Sequence, residues 1–139
     1  ANSAIELKEK TDRVEDAICA TKAAIKEGIV PGGGIALLNA SHSIKPVNQG
    51  EEILLKAIQS PFKTILSNAG IDPGKLGNKQ KIGIGLDVVT GNMVNMVDSG
   101  IIDPLLVTKS ALVNAASVAT TILSTDCVIN NMRVDESNR

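Results

Sequence analysis

The sequence predicts a mainly α-helical fold with a small β-hairpin, and three observations carry that prediction. Long stretches place apolar residues at helical spacing. Aromatic residues make up only 1% of the chain, with Phe62 the single Phe and no Trp or Tyr. A core built from Ile, Leu, Val, Ala and Met suits closely packed helices. One segment, Ile82 to Val89, instead alternates glycine with β-branched residues, which reads as a strand. The chain has 139 residues, 43% hydrophobic and 21% charged, as expected of one soluble globular domain or a piece of a larger one. A net charge of −1 provides no basic field for nucleic acid or an anionic membrane. No apolar run reads as membrane-spanning, and no signal-peptide pattern opens the chain. Opening on Ala1 without an initiator Met, it reads as a processed product or an excised piece. Cys19 and Cys127 fit no metal spacing and are expected to be buried, reduced thiols.

In chain order, Ser3 and Glu6 form a capping box that starts a helix from about Ile5 to Glu27. Glu6–Lys10 and Glu9–Arg13 support it as i,i+4 pairs. Leu7, Val14, Ala17, Ile18, Thr21 and Ile25 fall on one stripe, the expected packing face. Gly28 is the expected stop. The triplet Gly32-Gly33-Gly34 then turns the chain into a short apolar helix ending near Ser41, followed by a polar loop containing His42. Glu51 to Asn68 is a second long helical stretch, with Leu54, Ile58, Phe62, Ile65 and Ala69 on one face. Pro61 inside it predicts a kink or a break into two helices. Gly70 stops it, Asp72-Pro73-Gly74 turns, and Gly77 to Lys81 is a polar connection. After the arm from Ile82 to Val89 comes a turn at Thr90-Gly91-Asn92. Met93 to Val97 is expected to form a helical turn and Ile101-Ile102 a short return strand. Asp103 as N-cap and Pro104 as first residue open a helix to about Leu123. Its many small residues, with Val107, Ala111, Ala115 and Val118 on one face, imply neighbours all round. Cys127-Val128-Ile129 is a short apolar strand before a polar tail.

Familiar enzyme patterns fail. The chain has no Gly-x-Ser-x-Gly elbow, no His-Glu-x-x-His, no Cys/His cluster and no complete phosphate-binding loop. On its own, the glycine triplet is either a tight interhelical turn or a place where bare backbone meets a flat ligand. Asp16 lies on the helix face away from the apolar stripe, beside Cys19, Ala20 and Ala23. It is either a solvated carboxylate or one positioned to meet a second surface. His42, the only histidine, has no metal-ligand companion.

The order of motifs says more. Arg13-Val14-Glu15-Asp16-Ala17, Ala20-Thr21-Lys22-Ala23-Ala24 and Glu27-Gly28-Ile29-Val30-Pro31-Gly32-Gly33-Gly34 resemble the group I chaperonins, the GroEL family. The resemblance continues at Gly85-Leu86-Asp87-Val88-Val89-Thr90-Gly91, at Gly100-Ile101-Ile102-Asp103-Pro104 and at Ala115-Ala116-Ser117-Val118-Ala119. It spans Glu6 to about Val128. It implies that residues 1–27 form the last helix of an intermediate domain. Residues 28–139 would form the C-terminal half of an equatorial, ATP-binding domain. Asp16 would position the attacking water. Gly32 and Gly33 would set bare backbone beside the nucleotide. Asp87, Val88 and Val89 would line the adenine pocket, and Asp103 would accept hydrogen bonds from the ribose. ATP is the implied cofactor, with Mg and K ions held mostly by residues outside this chain. Other subunits of a heptameric ring would be partners, as would a co-chaperonin and unfolded clients through an apical domain. The implied location is cytoplasmic, of the bacterial type. The family's Gly-Asp-Gly-Thr-Thr segment has no counterpart here, so the 139 residues are expected to have little or no ATPase activity alone. A non-catalytic helical module derived from a chaperonin is the alternative.

Overall fold

The computed structural model describes residues 3–76, 81–127 and 129. It is mainly helical. Helix α1 (Ala4–Glu27) leads into a three-residue strand β1 (Ile29–Pro31), then helices α2 (Ile35–Ser43), α3 (Gln49–Ala57) and α4 (Ser60–Asn68). A 3-10 turn (Pro73–Leu76) precedes strands β2 (Ile84–Asp87), β3 (Asn92–Asn95) and β4 (Ile102–Pro104), and helix α5 (Leu105–Leu123) follows.

The predicted ends of α1 hold. Ser3 Oγ accepts a hydrogen bond from the Glu6 amide at 3.2 Å, and the Gly28 amide donates to the Ala24 carbonyl at 2.8 Å. Both i,i+4 ion pairs form. The long helical stretch around Pro61 breaks into α3 and α4, with Pro61 in the first turn of α4, where a missing amide costs nothing. Asn48, capping α3, accepts from the Glu51 amide at 2.9 Å. The expected Asp72 turn also forms, with Asp72 Oδ1 accepting from the Gly74 amide at 2.9 Å.

Several expectations are corrected. The hairpin is β2 against β3, with Ile84 opposite Asn95 and Asp87 opposite Asn92. Met93 and Val94 are therefore strand residues, where a helical turn was expected. The return strand at Ile102 leaves the hairpin and pairs antiparallel with β1, Val30 opposite Asp103. A three-residue strand such as β1 has too little periodicity to announce itself in the sequence. Asp103 consequently sits in β4. Pro104 occupies the N-cap position of α5, with no side-chain cap, so the capping role for Asp103 does not hold. His42 lies in the last turn of α2 rather than in a loop. Cys19 and Cys127 are exposed free thiols, not buried ones. Cys127 and Ile129 belong to no strand, while Val128 and residues 77–80 of the polar connection lie outside the described residues.

The core is small. Ile35, Leu38, Phe62, Leu66 and Met96 form one buried cluster, with Ile71, Leu86, Val94 and Ile101 packed against it. It joins α2 and α4 to the hairpin, and the single aromatic ring lies inside it. Of the α3–α4 face, Ile58 and Phe62 are buried, but Leu54 and Ile65 stay exposed. Neither α1 nor α5 buries any residue fully. The apolar stripe of α1 is therefore not its packing face within this chain, and α5 is not surrounded. Instead α1 lies against α5 and β4, tied by Lys109 Nζ donating to Glu27 Oε2 at 2.6 Å. Contrary to the sequence reading, α5 is long and apolar enough to cross a membrane by length and composition alone. Its Ala, Ser and Thr residues interrupt the large apolar side chains that mark a spanning run in sequence.

Candidate functional site

The β1–β4 pair organises the candidate site. Its short ladder is extended at both ends: the Leu105 amide donates to the Gly28 carbonyl at 3.0 Å, and the Gly32 amide to the Ile101 carbonyl at 2.9 Å. These bonds bring Gly32 and Gly33 to the same end of the molecule as Asp103, although about seventy residues separate them in the chain. Gly32 is buried. A Cβ there would lie 3.1 Å from the Ile101 carbonyl atoms. Gly33 and Gly34 have φ of +63° and +75°, the left-handed region that glycine adopts freely. A Cβ on Gly33 would lie 2.6 Å from the Met96 methyl, and one on Gly34 would lie 2.7 Å from the Phe62 amide nitrogen. The triplet is thus demanded first by the chain's own packing. It lets α2 start directly against the core.

Asp103 stands at the edge of a groove of about 880 Å³ between α2, α3, α4 and α5. The groove wall is nearly all apolar, including Pro31, Leu37, Leu54, Ile65, Val107 and Ala111, and Asp103 is its one charged residue. Partial burial there raises the Asp103 carboxyl above the ordinary aspartate range. Although the residue as a whole is exposed, crowding by the groove wall still costs its charged form solvation. The carboxylate has no hydrogen-bond or ion-pair partner among the described residues and remains a free acceptor. Sequence reasoning missed this groove, because its walls come from four helices and only folding assembles them. The exposure of Leu54 and Ile65 on the α3–α4 face is its one local trace.

The remaining candidates lie elsewhere. Asp87 ends β2, and its carboxylate is used within the turn. Oδ2 accepts from the Thr90 hydroxyl at 2.7 Å and Oδ1 from the Val89 amide at 2.9 Å. Those two donations, the hydroxyl foremost, hold the carboxyl below its ordinary range. Val88 and Val89 project at the hairpin tip, Val89 almost fully exposed. Asp16 is exposed on α1 and makes no hydrogen bond or ion pair with another described residue. It lies on the line of α1 that continues into Ala20, Ala23 and Glu27, the half-buried side towards α5. No polar contact joins Asp16 or Asp87 to Asp103. The structure gathers Gly32, Gly33 and Asp103 and leaves Asp16 and the hairpin tip apart.

The residues fit a nucleotide only in part. An apolar wall beside a free carboxylate suits a base and a sugar hydroxyl. The described residues contain no group of three or more metal-ligating side chains, so they do not by themselves form a phosphate and metal clamp.

This helical body with its small hairpin and glycine turn is a chaperonin architecture. The family model of the TCP-1/cpn60 chaperonin family matches residues 1–133, and the chain belongs to that family. Among solved structures it is similar to a group III chaperonin crystallised in the open state, with a TM-score of 0.79 and 28% sequence identity. The match covers 93% of this chain but 29% of that one.

Proposed function

We propose that this chain is the C-terminal part of a group I chaperonin subunit, contributing the base and ribose side of an ATP site. The observation that carries this reading is the β1–β4 pairing, which sets the unpartnered Asp103 carboxylate at an apolar groove next to the glycine turn. In this reading residues 1–27 close the intermediate domain and residues 28–139 form half of the equatorial domain. Bound ATP would supply the phosphoryl-transfer energy that drives folding of encapsulated clients. Asp103 accepts hydrogen bonds from the ribose, Gly32 and Gly33 set backbone without side chains beside the nucleotide, and Asp87, Val88 and Val89 flank the base. Asp16 reaches the site only by motion of α1 about Gly28, and there it orients water. Mg and K ions are held mostly by residues outside this chain. Heptameric ring assembly, a co-chaperonin, unfolded clients and a cytoplasmic location belong to the same proposal.

The test is an ADP titration followed by amide chemical shifts, on the chain and on Asp103→Asn. Shifts at Gly33, Val88 and Asp103 that vanish in the variant are expected. Binding that ignores Asp103→Asn sinks the ribose assignment. Thermal melts control for stability. A carboxyl with a raised folded-state pKa favours folding below the unfolded carboxylate range, and that benefit is lost as pH rises through the folded value. At neutral pH the Asn variant should therefore melt no lower than the parent.

A second reading, a non-catalytic helical interaction module, is favoured by one observation. Met96 packing accounts for Gly33, and turn hydrogen bonds account for Asp87, without any ligand. An absence of shifts at all three positions favours it.

A further inference from the structure

The glycine turn and the β2–β3 hairpin are distant in the chain, and both rest on Met96. This residue follows β3 and is 2% exposed, closed off from any ligand. Its backbone joins the two segments in one run of hydrogen bonds. The Met96 amide donates to the Gly83 carbonyl at 3.0 Å, at the base of the hairpin. The Met96 carbonyl accepts from the Ile101 amide at 2.8 Å, and the Ile101 carbonyl accepts from the Gly32 amide at 2.9 Å. Its side chain joins the same segments from inside. The Met96 methyl is the one atom beyond the chain neighbours of Gly33 that a Cβ there would meet within 4 Å, among the described residues, and the distance would be 2.6 Å. A Cβ on Gly85, in β2, would lie 3.1 Å from the same methyl. The methyl thus fills space that two glycines leave open, one on the turn and one on the hairpin. Methionine suits this place because it is long and unbranched, whereas a leucine ends one atom earlier.

We infer that Met96 is a positioning residue of the candidate nucleotide site, setting the distance between the glycine turn and the hairpin that carries Asp87, Val88 and Val89. The inference rests on the nucleotide reading of that site. Without the methyl, backbone hydrogen bonds still tie the two segments, but the gap between Gly33 and Gly85 is no longer filled. A ligand that touches both segments must then restore their spacing as it binds, and its affinity falls. The direction of the missing Cβ at Gly33 separates this role from a direct one. It points at the Met96 methyl and so into the core. An alanine at position 33 therefore acts on the site by displacing Met96, not by covering the outward backbone.

ADP titrations of the 139-residue chain, followed by the amide shifts of position 33 and Val88, test this. In the parent both amides should report one dissociation constant. Met96→Leu should raise it about tenfold with unchanged helix content by circular dichroism, because the swap conserves core volume and vacates only the methyl's place. Gly33→Ala should weaken binding at least as much. The combined variant, Met96→Leu with Gly33→Ala, should bind more tightly than either single variant, since the added methyl refills the vacated space. Left-handed strain at position 33 is common to both alanine variants and cancels in the cycle. Leu66→Met, a swap of the same kind at an equally buried core position, should shift the melting temperature and leave the dissociation constant unchanged. Parent affinity in Met96→Leu overturns the inference and leaves the nucleotide reading standing. So does equal weakening by Leu66→Met, which would mark a general loosening of the core, or a combined variant whose losses simply add. A parent that shows no shifts overturns the nucleotide reading, and this inference with it.

Discussion

At the scale of single residues, backbone conformation and available space separate glycines that look alike in sequence. Gly34 and Gly91 both have positive φ, +75° and +73°. A side chain on Gly91 would meet nothing within 4 Å, whereas one on Gly34 would strike Phe62 backbone atoms at 2.7 and 2.8 Å. Gly91→Ala should therefore cost only left-handed strain, about 1–2 kcal/mol. Gly34→Ala adds a collision that no rotamer relieves and should cost roughly 3 kcal/mol or more. Urea denaturation of the two variants measures the difference, and equal midpoints would show that α2 can move off the core. The motif thus has a structural reason at Gly34 whatever its neighbours do for a ligand.

At the scale of elements, the turn of the β2–β3 hairpin engages Asp87, a side chain that the proposed function sets beside the base. Asp87 holds both the Val89 amide and the Thr90 hydroxyl, and these donations lower its pKa. A depressed carboxylate contributes stability above the unfolded carboxylate range and loses it as pH falls through the folded value. The protection of the Val89 amide, its exchange rate compared with the intrinsic rate at the same pH, should accordingly fall in acid, and Asp87→Ala should show the lowered protection already at neutral pH. If the Val89 amide exchanges equally in both proteins at neutral pH, the turn does not rest on Asp87. The same element shows where local pattern stops. Met93 and Val94 looked helical because Met93, Val94, Met96 and Val97 also suit a 3.6 period. Pairing with β2 and packing of Met96 against the core made them a strand.

At the scale of the whole molecule, the small core leaves α1, α5 and the groove open. The chain spans 29% of the solved chaperonin chain it matches. Phosphoryl transfer is mainly positioning and charge stabilisation, and the described residues lack a metal-binding cluster. Purified chain should therefore show no ATP turnover above buffer. Phosphate release that disappears in Asp16→Ala would contradict this.

By itself the sequence determined the mainly helical class, the ends of α1, the break at Pro61 and, through its ordered motifs, the family. These follow from short-range physics: capping groups, helical spacing and proline's missing amide act within a few residues. The burial of Ile35, Phe62 and Met96 in one cluster was not legible, nor was the pairing of Ile29–Pro31 with Ile102–Pro104. Only tertiary structure decided those, and with them the placing of Asp103 in a strand at the groove edge and the choice of which α1 face meets α5. Each depends on segments distant in the chain meeting in space, and no local periodicity records that.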